Sequence, residues 1–344
     1  MIPSTRSVPR TVPLLLAVSG AALLFRRLRR SRRRIDFRGM SVVISGGSRG
    51  LGLELARQLA GEGAKLALLA RDEAELERAA ERLCRLGADL ATFVCDVGDR
   101  RQVEETVAAI LASRGSIDVL INNAGIIQVA PFENLDLEDF QESLAVHALG
   151  PLHLIRAVAP HMQRRRSGRI VNISSIGGLV AVPHLLAYTT GKFALTGLSD
   201  GFRAELAKDG IFVTTVAPGL MRTGSPVNAL FKGQHRKEYA WFAISSANPL
   251  VSTSAPHAAR KIIEACRNGD PRLIITFPAR LLHMVNALFP GLTAFGTGVA
   301  ARLLPAPAEP KDNSVHTGRE SGSAAAPSLL TRLSDRAVVP NNEQ

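Results

Sequence analysis

Ser41-Val42-Val43-Ile44-Ser45-Gly46-Gly47-Ser48-Arg49-Gly50-Leu51-Gly52 is the stretch on which the fold turns. Ser41–Ser45 reads as a short apolar strand, and the LGLELARQLAGEG that begins at Leu51 has helical spacing. Glycines in a strand-to-helix turn permit tight φ/ψ values and let backbone amides approach a pyrophosphate at the helix N-terminus. The spacing Gly46-x3-Gly50-x-Gly52 differs from the commoner G-x-G-x-x-G fingerprint. A lone glycine turn often serves only to reverse the chain. Its place at the first strand of an alternating pattern gives this one weight.

That alternation continues outward. Lys65–Ala70, Ala91–Cys95, Val119–Ile121, Ile170–Ile173 and Phe212–Val216 are further strand candidates, separated by helical segments. One of these segments, RDEAELERAAERLCRLG, carries Asp72 and Glu75 at capping-box-like spacing. Strands alternating with helices imply right-handed βαβ crossovers and a parallel sheet covered on both faces. The expected fold is a single doubly wound α/β domain over residues 39–278, of Rossmann type, with a C-terminal helical extension over 279–304. A loop-rich insertion over 223–247 carries Phe231, Tyr239, Trp241 and Phe242. Residues 305–344, rich in Pro, Ala, Ser and charge, are expected to be disordered.

The net charge of +12 invites a nucleic-acid reading, but ten arginines and one acid in residues 1–38 account for +9 of it. The basicity is local to one end, so nucleic acid is not an expected partner. There an apolar run, Thr11–Phe25, is followed by RRLRRSRRR. The run is shorter than the ~20 residues of a full span. Arginines behind it favour retention at the cytoplasmic face of a membrane, as a short anchor or a surface-lying helix. A basic tail or a cleaved targeting peptide is the plainer reading. Cys84, Cys95 and Cys266 form no close pair, which suggests neither a disulfide nor a metal framework.

Cofactor choice follows from charge. An NAD enzyme places an acid near the end of its second strand, whereas Ala70-Arg71 stands there in this chain. Arg49 lies inside the glycine turn, and two guanidiniums suit a 2′-phosphate, which points to NADP(H). Further on, Tyr188-Thr189-Thr190-Gly191-Lys192 puts Tyr188 and Lys192 on one helix face at i, i+4 spacing. A phenol titrates near ~10, so acid–base work at neutral pH calls for a neighbouring cation. Lys192 can supply it, and the hydroxyl of Ser175, beyond a strand-like run, can hold a substrate oxygen.

Taken together, Gly46/Gly50/Gly52, Asn122-Asn123-Ala124-Gly125, Ser175 thirteen residues before Tyr188, Lys192 and Pro218-Gly219 resemble the short-chain dehydrogenase/reductase family in order and spacing over about residues 40–278. The resemblance implies Tyr188 as general acid/base and Ser175 as the group that positions a carbonyl or alcohol. Lys192 then binds the nicotinamide ribose and lowers the tyrosine pKa. It implies cofactor contacts at Gly46, Ser48, Arg49, Gly50, Gly52, Arg71, Asp96, Val97, Asn123, Ala124, Gly125, Pro218, Gly219 and Thr223, with Asp96-Val97 on the adenine side. It also implies homo-oligomers built through the helices before and at the tyrosine. One position departs from the family: His147 in Val146-His147-Ala148-Leu149-Gly150 stands where asparagine usually holds a water in a proton relay. Histidine can donate, accept or titrate, so His147 is either a candidate relay group or a core histidine with satisfied hydrogen bonds.

The expected activity is NADPH-dependent interconversion of a carbonyl and an alcohol, on a lipid-like or other apolar small molecule. The apolar 223–247 and 279–304 segments and the terminal anchor motivate that substrate class. The alternatives are a soluble 3-oxoacyl or broad-specificity ketone reductase, and a non-catalytic NADPH-binding scaffold or redox sensor.

Overall fold

A computed structural model of the chain describes residues 30–308 and 312–343. Its centre is a seven-stranded parallel sheet in the order β3-β2-β1-β4-β6-β7-β11. These strands are β1 (Ser41–Ser45), β2 (Lys65–Ala70), β3 (Asp89–Val94), β4 (Val119–Asn122), β6 (Gly168–Ile173), β7 (Ile211–Pro218) and β11 (Arg272–Ile275). Two-residue β5 (Gln128–Val129) and β9 (Leu230–Phe231) pair outside this sheet. The edge strand β11 was not foreseen, because four residues beside a proline carry little periodic signal.

The near-continuous apolar strands follow from burial on both faces. Val42, Ile44, Leu66 and Leu68 enter one core with Leu55, Leu59 and Ile262. Their neighbours Val43, Ala67 and Leu69 enter a second core with Val107, Leu154 and Val158. Successive side chains thus alternate between two helix layers. One layer holds α1 (Gly50–Gly61), α2 (Glu73–Cys84) and α9 (Ala255–Asn268), and the other holds α3 (Arg100–Arg114), α5 (Gly150–Arg165) and α6 (Leu186–Leu206). Caps set the helix starts. Asp72 accepts from Glu75 N at 2.8 Å, and Asp99 accepts from Arg101 N and Gln102 N at 2.9 and 3.2 Å.

Between α4 (Leu137–Leu144) and α5 the helix widens into a π turn over Ala145–Leu149, which carries His147 into the interior. The 223–247 segment is more ordered than a loop: it forms α7 (Ser225–Asn228), β9 and α8 (His235–Ala247). Phe231, Tyr239 and Phe242 pack there with Val129 and Leu185, and Tyr188 and Trp241 lie against that cluster. The strand β10 (Ser252–Ser254) pairs with β8 (Leu220–Arg222).

Residues 279–304 lie in a helical hairpin, α10 (Phe277–Leu288) and α11 (Pro290–Leu303), whose outer side exposes Phe277, Leu288, Phe289, Leu292, Phe295 and Leu303. The expected disorder of the final segment does not hold for 312–343. There β12 (His316–Thr317) pairs antiparallel with β9, and α12 (Arg332–Val338) precedes a buried Asn341-Asn342-Glu343. Composition misjudged this segment because its order comes from hydrogen bonds to the body of the domain rather than from an apolar core of its own. The apolar run Thr11–Phe25 and the arginines Arg26, Arg27 and Arg29 behind it lie outside the described residues. Among the described residues no helix is long and apolar enough to cross a membrane.

Candidate active site

In a doubly wound sheet, ligands bind beyond the carboxyl ends of the strands, where the crossovers diverge. Here a cavity of about 720 Å³ occupies that position. Gly46, Ser48, Arg49 and Gly50 line one end, with Thr223 close to Gly50, and Tyr188 and Lys192 line the other. Arg71, Asp96 and Val97 follow β2 and β3 on the far side of the glycine turn, and Asn123, Ala124, Gly125 and His147 lie toward Lys192. The expected residues Gly52, Ser175, Pro218 and Gly219 do not line this cavity.

The turn's glycines have separate reasons. Gly50 has φ +58°, in the left-handed region. A Cβ on Gly52 would lie 1.9 Å from the Gly46 carbonyl oxygen, so the residue serves close helix–turn packing rather than ligand contact. Asn123 stitches the turn to the end of β4: its Nδ2 donates to Gly46 O at 2.9 Å and to Ser45 O at 3.3 Å. Asp96 accepts from Gly98 N at 2.9 Å, which fixes the loop after β3.

The cationic end is partly spoken for. Arg49 reaches Glu75 at 2.6 Å, and Ser48 Oγ donates to the same carboxylate at 2.9 Å. Glu75 is thus more than a helix-start residue, and only the fold reveals that it faces the turn. Arg71 is exposed at the cavity wall and makes no ion pair among the described residues. Glycines at a helix start and a long cleft lined by them fit a dinucleotide.

At the other end, α6 presents Tyr188 and Lys192 one turn apart. Lys192 is buried, and its Nζ donates to Ile173 O at 2.9 Å and lies 5.7 Å from the Tyr188 ring centroid. Burial brings the Lys192 ammonium down to about 7. Burial likewise pushes the Tyr188 phenol up, while a hydrogen bond with Ser175 acts in the opposite direction. The lowered tyrosine pKa implied by the family resemblance is therefore not what the chain alone produces. Ser175 Oγ accepts from Gly177 N at 3.0 Å, and a Cβ on Gly177 would touch both Ser175 Oγ and the Tyr188 ring, at 3.5 and 3.3 Å. Pro218 and Gly219 lie at the β7–β11 junction, where Gly219 N donates to Ile275 O at 3.1 Å.

The position of α6 is set by a buried polar chain. Asn122 Nδ2 donates to Asn172 Oδ1 at 2.7 Å, Asn172 Nδ2 donates to Ser199 Oγ at 2.9 Å, and Ser199 meets Thr215 at 2.7 Å. Sequence reasoning found only its first member, as part of the Asn122–Gly125 motif.

His147 is fully buried, with its ring edge-on to Tyr188 at 5.3 Å between centroids. Ser143 Oγ donates its hydrogen to Ala187 O at 2.7 Å, which leaves it to accept from His147 Nδ1 at 3.2 Å. Nε2 then accepts from Ile126 N at 3.2 Å. Burial, followed by the Lys192 charge, holds the imidazole well below its usual pKa. A neutral ring with both nitrogens engaged is a positioning group, which favours the core reading of His147 over the relay. Among the described residues no group of three or more His, Cys, Asp or Glu forms a metal site.

Comparison with known proteins agrees with this geometry. Residues 40–230 match the short chain dehydrogenase family. The chain is 32% identical over 286 residues to a dehydrogenase/reductase SDR family member 7B of Mus musculus, covering 82% of this chain and 87% of that protein. It is 30% identical over 274 residues to a fatty acyl-CoA reductase of Acinetobacter baylyi, covering 79% and 88%. A metagenomic short-chain oxidoreductase solved in complex with NADP superposes with a TM-score of 0.52 at 33% identity, covering 54% of this chain and 84% of that one. The matched region runs from the residue before β1 to the first residue of β9 and contains the whole tyrosine helix; this chain belongs to the short-chain dehydrogenase/reductase family of oxidoreductases.

Proposed function

We propose that this chain is an NADPH-dependent reductase of a lipid-like carbonyl compound, with the reverse alcohol oxidation using the same groups. The observation that carries the reading is the single cleft joining the glycine turn to Tyr188 and Lys192, with an apolar cluster of the 223–247 segment packed against Tyr188. NADPH, when bound, supplies the hydride. Tyr188 donates its phenolic proton to the substrate oxygen, which Ser175 holds by a hydrogen bond. Lys192 stabilises the phenolate that remains, and His147 holds the Ile126 backbone and the tyrosine ring in place.

NADP(H) preference is supported by Arg71 at the cavity wall, by the absence of an acid at its position, and by the NADP complex of a similar fold. The apolar substrate class is supported by Phe231 and Phe242 beside Tyr188 and by the likeness to a fatty acyl-CoA reductase. Attachment to the cytoplasmic side of a membrane is supported by the arginine-rich terminus and by the exposed apolar side of α10–α11. That hairpin packs on the loop after Ser175, where Asn286 Nδ2 donates to Leu179 O at 3.4 Å. Exposed Leu149 and Phe193, near the start of α5 and on α6, favour a homo-oligomer.

The test is NADPH oxidation by the purified chain with long- and short-chain ketones, run beside Tyr188→Phe. Turnover confined to long-chain ketones and reduced at least ~10²-fold in Tyr188→Phe is expected. Near-normal turnover by Tyr188→Phe would sink the mechanism. Equal turnover of short ketones would sink the lipid-like substrate.

A further inference from the structure

The segment after α12 enters the glycine-turn end of the cavity, where Glu343 is one of the lining residues. Asn341 O accepts from Gly50 N, the first amide of α1, at 2.8 Å. Asn341 Nδ2 donates to Thr223 O at 2.9 Å. Asn342 Nδ2 donates to Ser48 O at 2.9 Å and Glu75 O at 3.1 Å, and Arg78 Nε donates to Asn342 Oδ1 at 3.3 Å. The Glu343 carboxylate accepts from Asn228 Nδ2 at 2.8 Å and would sit 2.7 Å from a Cβ on Gly50. Glu343 is 3% exposed and Asn342 0%. Arg82 and Arg57 hold the approach by donating to Val339 O at 2.8 Å and Pro340 O at 3.2 Å.

The start of α1 is where a cofactor's pyrophosphate would find free amides and the positive end of the helix dipole. Here a backbone carbonyl takes the Gly50 amide, as a phosphate oxygen would, and the Glu343 carboxyl group lies beside it. The Glu343 carboxyl group and a phosphate cannot share the spot, because both need the same volume beside Gly50.

We propose that residues 340–343 are a built-in competitor of the nucleotide cofactor: docked, they occupy the phosphate end of the cleft, and cofactor binding releases them. The inference rests on reading the cleft as a cofactor site. Because the competitor is tethered, its effective concentration is set by the chain and not by the solution. The freed segment runs back through α12 to β12, which lies on β9 beside the apolar cluster at Tyr188.

The test compares NADPH dissociation constants, by titration calorimetry, of the full chain and a variant lacking residues 340–344. The variant is expected to bind at least ~5-fold more tightly, the lower end of ordinary coupling between sites. A synthetic peptide of residues 338–344 should weaken NADPH binding to that variant competitively. In the full chain, saturating NADPH should raise amide exchange across 332–343. Equal or weaker binding by the shortened variant overturns the proposal. If the shortened chain does not fold, the double substitution Asn342→Ala, Glu343→Ala in the full chain replaces it and must tighten binding. Failure of every form, including the shortened one, to bind NADPH or NADH overturns the cofactor reading itself. That outcome is distinct from unchanged but measurable binding, which removes the competitor alone.

Discussion

Replacing Gly191 by alanine isolates how tightly the tyrosine helix must seat. Gly191 lies between Tyr188 and Lys192, and a Cβ there would fall 2.7 Å from Ser143 Oγ, 2.9 Å from Ser143 O and 2.9 Å from His147 Nδ1. In an unobstructed helix interior, Gly→Ala stabilises by about 1 kcal/mol. Overpacking in a close-packed interior costs ~1–3 kcal/mol. Ser143 cannot swing aside cheaply, because its hydroxyl bonds both Ala187 O and His147 Nδ1, each bond worth about 0.5–1.5 kcal/mol net. The carbonyl contact cannot yield without moving the backbone of α4. The clash wins, for a net loss of roughly 1–3 kcal/mol, read as a fall in Tm of about 2–5 °C. Relief requires α6 to move outward with Tyr188 and Lys192, and a misplacement of ~1 Å costs about 10²-fold in rate. Differential scanning calorimetry and steady-state NADPH oxidation measure the two effects. A Gly191→Ala protein with an equal or higher Tm and full turnover would refute the packing argument.

Three further outcomes follow from the site. Arg71→Asp should reverse cofactor preference, weakening NADPH binding by ~10-fold or more while sparing NADH, as expected for loss of a charge-assisted phosphate contact; an unchanged ratio of the two dissociation constants would remove Arg71 from cofactor choice. Because folding lowers the pKa of His147, the unfolded chain binds its proton more readily, so this residue's contribution is intact above about pH 6.5 and is lost as pH falls below it. His147→Asn should flatten that acid-side fall in Tm and leave the pH profile of kcat unmoved, whereas a shifted kcat profile would restore the relay. The Glu343 carboxyl, buried among Arg49, Glu75, Arg319 and Asn228, is raised to about 7, so docking of its segment is favoured below the free carboxyl pKa and weakens as pH rises through 7. The affinity ratio between the shortened and full chains should therefore shrink from pH 6 to pH 8, and a ratio that grows would contradict the docked geometry.

The sequence by itself determined the doubly wound sheet, the glycine turn and the Tyr188/Lys192 pair, because each depends on local spacing. A strand buried on both faces must be apolar throughout, a turn against a helix start needs glycine, and i, i+4 places two side chains on one face. Tertiary structure alone decided which of these groups are committed elsewhere. Arg49 and Ser48 are tied to Glu75, Gly52 packs against the turn, and Pro218-Gly219 closes a sheet edge. It also decided that His147 is a neutral double hydrogen-bonder, since its partners Ser143 and Ile126 meet only once the π turn is formed. The 312–343 segment escaped sequence reasoning for the same reason. Its order comes from amide and carbonyl groups that find partners hundreds of residues away, such as Asn342 with Ser48, and no pattern of local hydrophobicity encodes a hydrogen bond across the fold.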